Sequence, residues 1–245
     1  MIDDFRTMFW KEWKETVFQR NLSRNERFAR AVVVIAILGI LLWKTGPMMV
    51  TSPMAFFMPS FLPLFFLLAI VADSFAGERE RHTLETLLAT RLSDGAILIG
   101  KLLAAVLFIW GVLLLAVMIG IVSANIMNRG SGLIFPPLDR AALFLVFYFL
   151  LSLAIGSIGV LVSLRASTVR QASQILNIAL MIISFGLIYA FQMLPTEWRE
   201  ALKQAFTPEH LRRTEIFGAL ILMTLNLTLL MAARLRFKRA RLILE

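Results

Sequence analysis

Long apolar runs alternate with short charged clusters along this chain, and that alternation constrains its fold more than any other feature. Leu102 to Ala124 and Ala141 to Leu164 are long and free of charge. Either is enough for the about 20 helical residues that cross a ~30 Å hydrocarbon core. Ile175 to Leu194 and Ile216 to Ala233 are of similar length. Met54 to Ala72 carries Pro59 and Pro63 and stops at Asp73, so a kinked span is expected there. Ala31 to Trp43 is short, but Arg30 and Lys44 can snorkel from its ends and Phe28 can extend its start. With 59% hydrophobic residues and a mean hydropathy of +0.79, the chain lies outside the usual range of soluble domains. The expected fold is an all-α polytopic membrane protein with six transmembrane helices.

Orientation follows from the positive charge. The Lys and Arg residues concentrate in segments 1–30, 73–101, 165–174 and 234–245. Segments 44–53, 125–140 and 195–213 hold far fewer. The positive-inside rule therefore predicts an N-in/C-in topology. No cleavable signal peptide is expected, because the first apolar run is not followed by a small-residue cleavage site. The whole of 1–245 reads as one transmembrane domain: a cytoplasmic amphipathic helix in 1–30, six spans with loops in 31–233, and a basic tail in 234–245. The net charge of +9 lies beside the apolar runs, as expected of contacts with anionic lipid rather than nucleic acid. The absence of cysteine excludes thiol nucleophiles, disulfides and Cys-ligated metal.

Three segments outside the spans carry patterns of their own. In residues 5–18, Phe5, Met8, Phe9, Trp13 and Val17 share one helical face. This reads either as an interfacial helix anchored by Trp10, Lys11, Glu12 and Trp13, or as a basic extension of the first span. Residues 195–213 suggest two short extracellular helices before the last span, the second opening at Thr207-Pro208, lying flat or dipping into the bilayer. Residues 77–101 read GERERHTLETLLATRLSDGAILIGK. Leu84, Leu87 and Leu88 form an apolar patch on a short charged helix, and Ser93-Asp94 offers a cap to the next span. Two readings fit: an exposed leucine patch docking into a groove of another protein, or a helix resting on lipid.

This third segment resembles the permease family of type-two ATP-binding-cassette (ABC) transporters, which are mostly exporters. The matching residues are Glu78, Arg79, Glu80, Thr83, Leu84, Glu85, Leu87, Leu88, Ser93, Gly100 and Lys101. Lys11-Glu12 echoes a pair that such permeases carry in their aromatic-rich N-terminal helix. Two departures stand out: His82 replaces a common glycine and Arg91 a common proline. The resemblance extends over the whole plan of spans. It implies that residues around Glu78 to Leu92, with Arg91 and Ser93 at the end, form a cytoplasmic coupling helix seated on a separate ABC ATPase subunit. Two ATPase copies would bind ATP and Mg and would drive two permeases, identical or related, in the cell (inner) membrane. This chain would bind no cofactor, because it has no Gly-rich phosphate loop, and Gly100-Lys101 lacks the required spacing.

Within the spans, Asn177, Gln192, Thr224, Asn226 and Thr228 are the polar groups available to a substrate path, although an interhelical hydrogen bond is the more expected use of each. No charge falls inside a span, which favours hydrophobic or amphipathic cargo over a bare ion. Ser152, Gly156, Gly159 and Ser163 give small-residue steps suited to close helix packing. An intramembrane enzyme is disfavoured: His82 and His210 are expected on opposite sides, and Ser157 has no histidine to activate it. No metal site is expected. The remaining alternative is an ABC-type membrane subunit of an assembly or motility machinery without export.

Overall fold

The computed structural model describes residues 2–18, 36–37, 57–128, 132–205 and 208–237. Most of the first expected span, Ala31 to Trp43, and the start of the second lie outside them. Among the described residues the regular structure is helical throughout. In chain order it comprises α1 (Ile2–Phe18), α2 (Phe57–Ala72), a π-helical turn (Asp73–Gly77), α3 (Glu78–Glu80) and α4 (Leu84–Leu88). The long α5 (Asp94–Met127), α6 (Leu138–Ser163) and α7 (Val169–Met193) follow, then α8 (Thr196–Ala205) and α9 (Pro208–Arg236).

Four of these helices are long and apolar enough to cross a membrane: α5, α6, α7 and α9. They coincide with the four cleanest apolar runs of the sequence. Pro63 lies inside α2, which continues as helix beyond it. One expectation is corrected at the far end of α7. Pro208 does open a helix, but this helix does not stop short; it runs on as α9 through the last apolar run. Apolar residues from Ile216 onward leave nothing to break it, so one short helix, α8, precedes the last span rather than two.

The core sits where α2, α5 and α6 meet, with Leu67, Val71, Leu102, Val106, Ile109 and Tyr148 buried together. Glycines set the closeness of that contact. A Cβ on Gly156 would stand 2.8 Å from Leu102 Cδ1, and one on Gly159 would stand 2.8 Å from Val71 Cγ1. The small-residue steps of α6 therefore serve packing within the chain. Helix α1 lies along α5, and α9 lies along α6. Most of the surface of α7 and α9 stays exposed.

Candidate functional site

At one end of α5, three sequence fragments that are far apart in the chain meet. Gly100 lets α1 approach: a Cβ there would lie 3.0 Å from Met8 Cγ and 3.2 Å from the Phe9 backbone nitrogen. The next residue, Lys101, then reaches across. Its ammonium donates to Glu12 Oε1 at 3.0 Å, to Glu78 Oε1 at 2.9 Å and to the Ser74 carbonyl at 2.9 Å. Those bonds use all three ammonium protons, which a side chain only 2% exposed requires. The Phe75 ring lies 5.4 Å from the same nitrogen. Lys11 closes the cluster from outside, 3.1 Å from Glu12 and 3.6 Å from both Glu15 and Glu78.

Charge partners fix the protonation of α1. Burial pushes the Glu12 carboxyl up, but Lys101 and Lys11 outweigh it and hold the group below its ordinary value. Burial pulls Lys11 down, and Glu12, Glu15 and Glu78 outweigh that in turn, leaving it raised. Glu12 therefore stays ionised at neutral pH, facing the Lys101 side chain at 3.0 Å.

A local irregularity shapes the segment that follows. Where α2 ends, the chain takes a π turn, and Ser163 of α6 fills the widened backbone. Its hydroxyl donates to the Ala72 carbonyl at 2.9 Å and accepts from the Ala76 N–H at 3.0 Å. Such turns recur at functional sites. Beyond it, Arg79 and Glu80 clasp the α6–α7 connection from both sides. The Arg79 guanidinium donates to the carbonyls of Leu164 (2.8 Å) and Ala166 (2.7 Å), where α6 ends. The Glu80 carboxylate accepts from the Val169 N–H (3.0 Å), where α7 begins. A cation sits at a helix C-terminus and an anion at an N-terminus, each matching the local dipole. Arg81 pairs with Asp73 at 3.1 Å over Gly77.

The helix then stops in a left-handed turn. His82 has φ of +55°, and the Thr83 N–H bonds back to the Glu78 carbonyl at 2.8 Å. This is a Schellman-type ending, whose left-handed position favours glycine. The departure at His82 therefore keeps the turn that a glycine would make, at some conformational cost. Arg91 is exposed, before the extended Ser93 that opens α5. Ser93 occupies the N-cap position as expected, although its hydroxyl makes no capping bond.

The leucine patch is a correction. Leu84, Leu87 and Leu88 are not exposed; they are 6%, 9% and 5% accessible and belong to the main core. An apolar stripe on a five-residue helix is covered here by the chain itself. The outward surface is polar instead, formed by Arg81, His82, Thr83, Glu85, Thr86, Thr90 and Arg91. Helix α1 divides similarly. Trp13 packs edge-on to Phe108 at 6.5 Å, and Lys11 and Glu12 join the ion cluster. Trp10 is 55% exposed, with Lys14 over its ring at 5.6 Å.

The polar groups of the spans do not converge. Asn226 is buried on α9 and donates to the Leu150 carbonyl of α6 at 2.9 Å, an interhelical bond. Asn177 and Gln192 lie on the exposed face of α7. Thr224 and Thr228 are exposed on α9 and donate to the carbonyls of Ile221 and Leu225 in their own helix. The Ser157 hydroxyl likewise bonds to the Leu153 carbonyl of its own helix. Sequence reasoning missed the clasp made by Arg79 and Glu80 and the role of Ser163. The signal for the first is alternating charge placed to meet two helix ends; for the second, a serine ending a stripe of small residues.

No curated protein matches this chain. The sequence model of the ABC-2 type transporter family matches residues 3–206, from α1 through α8. That match takes in the ion cluster, the π turn and the clasped connection, and it covers most of the chain. The protein belongs to the ABC-2 type transporter family and is a multi-pass membrane subunit of such a transporter.

Proposed function

We propose that this chain is the permease of an exporter powered by a separate ATPase subunit, which docks on the polar outward surface of residues 81–91. Membership of the family supports an ABC ATPase partner. The permease works as two copies, or as one copy with a related chain, with six spans, both ends in the cytoplasm, and residence in the cell (inner) membrane. Two ATPase copies bind ATP and Mg. Spans without internal charge favour hydrophobic or amphipathic cargo.

One observation carries the reading: residues 78–80 are bonded at once to α1, to α5, to the C-cap of α6 and to the start of α7. A push on this segment reaches four helices through short charged side-chain contacts. Glu85 and Arg91 meet the ATPase. Leu84, Leu87 and Leu88 transmit the load inward rather than touching it.

Purification of the tagged protein from native membranes, with mass spectrometry of its partners, tests the proposal. A stoichiometric subunit bearing a phosphate-binding loop is expected. Charge reversal at Glu85 and Arg91 should weaken its retention while the permease accumulates normally. An intact complex without such a subunit, or one indifferent to both reversals, would overturn the proposal.

A further inference from the structure

The connection between α5 and α6 and the first residue of α6 turn three apolar side chains outward: Leu133, Phe135 and Leu138 are 80%, 63% and 86% exposed. The connection lies at the opposite end of α5 from the ion cluster. Counting from Lys101 at 1.5 Å per residue, about 20 residues cross the ~30 Å hydrocarbon core, so the far boundary falls near Ile121 to Asn125. The described part of the connection, residues 132–137, is tied to that level. Asn125 draws it back: its Oδ1 accepts from the Ile134 N–H at 2.7 Å. Its Nδ2 donates to the Ile134 carbonyl at 2.9 Å and to the Ile121 carbonyl at 2.8 Å.

One side chain therefore satisfies both backbone polar groups of Ile134 and pins them to the level of the hydrocarbon boundary. Pro136 and Pro137 bring no N–H at all, and the Pro137 carbonyl accepts from Ala141 at 3.0 Å. At Gly132 the chain turns with φ of +84°, a conformation that glycine adopts freely. Irregular backbone at this depth is tolerated only when its polar groups have partners. Below the clamp, Leu115, Met118, Val122 and Ile126 form an exposed apolar stripe at helical spacing along α5, rising to the level of the clamp.

We propose that residues 132–138 are a lipid anchor: Leu133 and Phe135 insert among the acyl chains of the leaflet opposite the ion cluster, and Asn125 holds them at that depth. The occupant is phospholipid, because the clamp sets the segment at the bilayer boundary and the α5 stripe continues an apolar surface toward it. The anchor fixes how deep α5 and α6 sit and needs no ATPase.

The absence of native cysteine makes the test direct. Leu133→Cys and Phe135→Cys, each spin-labelled in the full chain, are reconstituted in phosphatidylcholine–phosphatidylglycerol vesicles. Collision rates with oxygen, which partitions into lipid, and with a nickel chelate, which stays in water, are then measured. Met118→Cys supplies the bilayer reference and Glu85→Cys the aqueous one. Oxygen-to-nickel ratios at both sites are expected several-fold above that of Glu85→Cys. A ratio equal to the aqueous reference would overturn the proposal. Protection from both reagents would also overturn it, by showing a second copy or another protein over the segment. Adding Asn125→Ala should move the label toward the aqueous value; an unchanged ratio would overturn the role of the clamp.

Discussion

Replacing Lys101 with Met tests the ion cluster at its centre, because Met keeps the length and apolar bulk while removing the charge. Three donated bonds are lost, to Glu12, Glu78 and the Ser74 carbonyl. The two carboxylates do not suffer equally. Glu12 keeps Lys11 at 3.1 Å, whereas Glu78 keeps it only at 3.6 Å. Glu78 Oε2 already has no hydrogen-bond partner among the described residues. Stranding a buried charge in this way costs about 3–5 kcal/mol, and the remaining Lys11 places the loss near the lower end. At 1.4 kcal/mol per decade, a loss of ~3 kcal/mol makes detachment of α1 from α5 about a hundredfold more frequent. Met8, fully buried between these helices, gives the readout as Met8→Cys, since no other thiol competes. Maleimide labelling should accelerate about a hundredfold in Lys101→Met over the Met8→Cys parent. Adding Glu78→Gln removes the stranded charge and should recover most of the protection. Equal labelling rates with and without Lys101, or faster labelling after Glu78→Gln, would refute the reasoning.

Ser163→Ala leaves the Ala76 N–H and the Ala72 carbonyl without their shared partner, and should destabilise the protein by about 1–3 kcal/mol in a denaturant titration. At His82, where φ is +55°, Val should cost about 1–2 kcal/mol while Gly is tolerated or stabilising, measured as thermal stability in detergent. Glu12 titrates below its unfolded value of 4.5 in the folded chain, so its contribution is complete above 4.5 and is lost as pH falls through the lower folded value. Unfolding followed against pH should show that acid limb, and Glu12→Gln should flatten it.

Much of this was legible in the sequence, but unevenly. Runs of apolar residues locate α5, α6, α7 and α9, because a membrane span is a local property of about 20 consecutive residues. The fragments Lys11-Glu12, Glu78 to Glu80 and Gly100-Lys101 stand out singly by resemblance. Their meeting does not, since side chains separated by 89 and 23 residues leave no periodic trace of contact. Leu84, Leu87 and Leu88 show the same limit: spacing marks an apolar face without saying what covers it. The continuation of Pro208 into α9 was obscured by the charged residues ahead of Ile216, which resemble a separate amphipathic turn.

The π turn at Asp73–Gly77 makes this part of the chain sensitive to length as well as to chemistry. Each α-helical residue rotates the chain by about 100° around its axis, and a π turn accommodates one additional residue without passing that rotation on. Deleting a single residue there would restore an unbroken α-helix and repair every backbone bond. Winding the same residues as α-helix instead would swing Glu78, Arg79 and Glu80 by about 100°, aiming them away from Lys101, Leu164 and Val169 together. The angular setting of the whole charged junction is kept by the π winding of five residues.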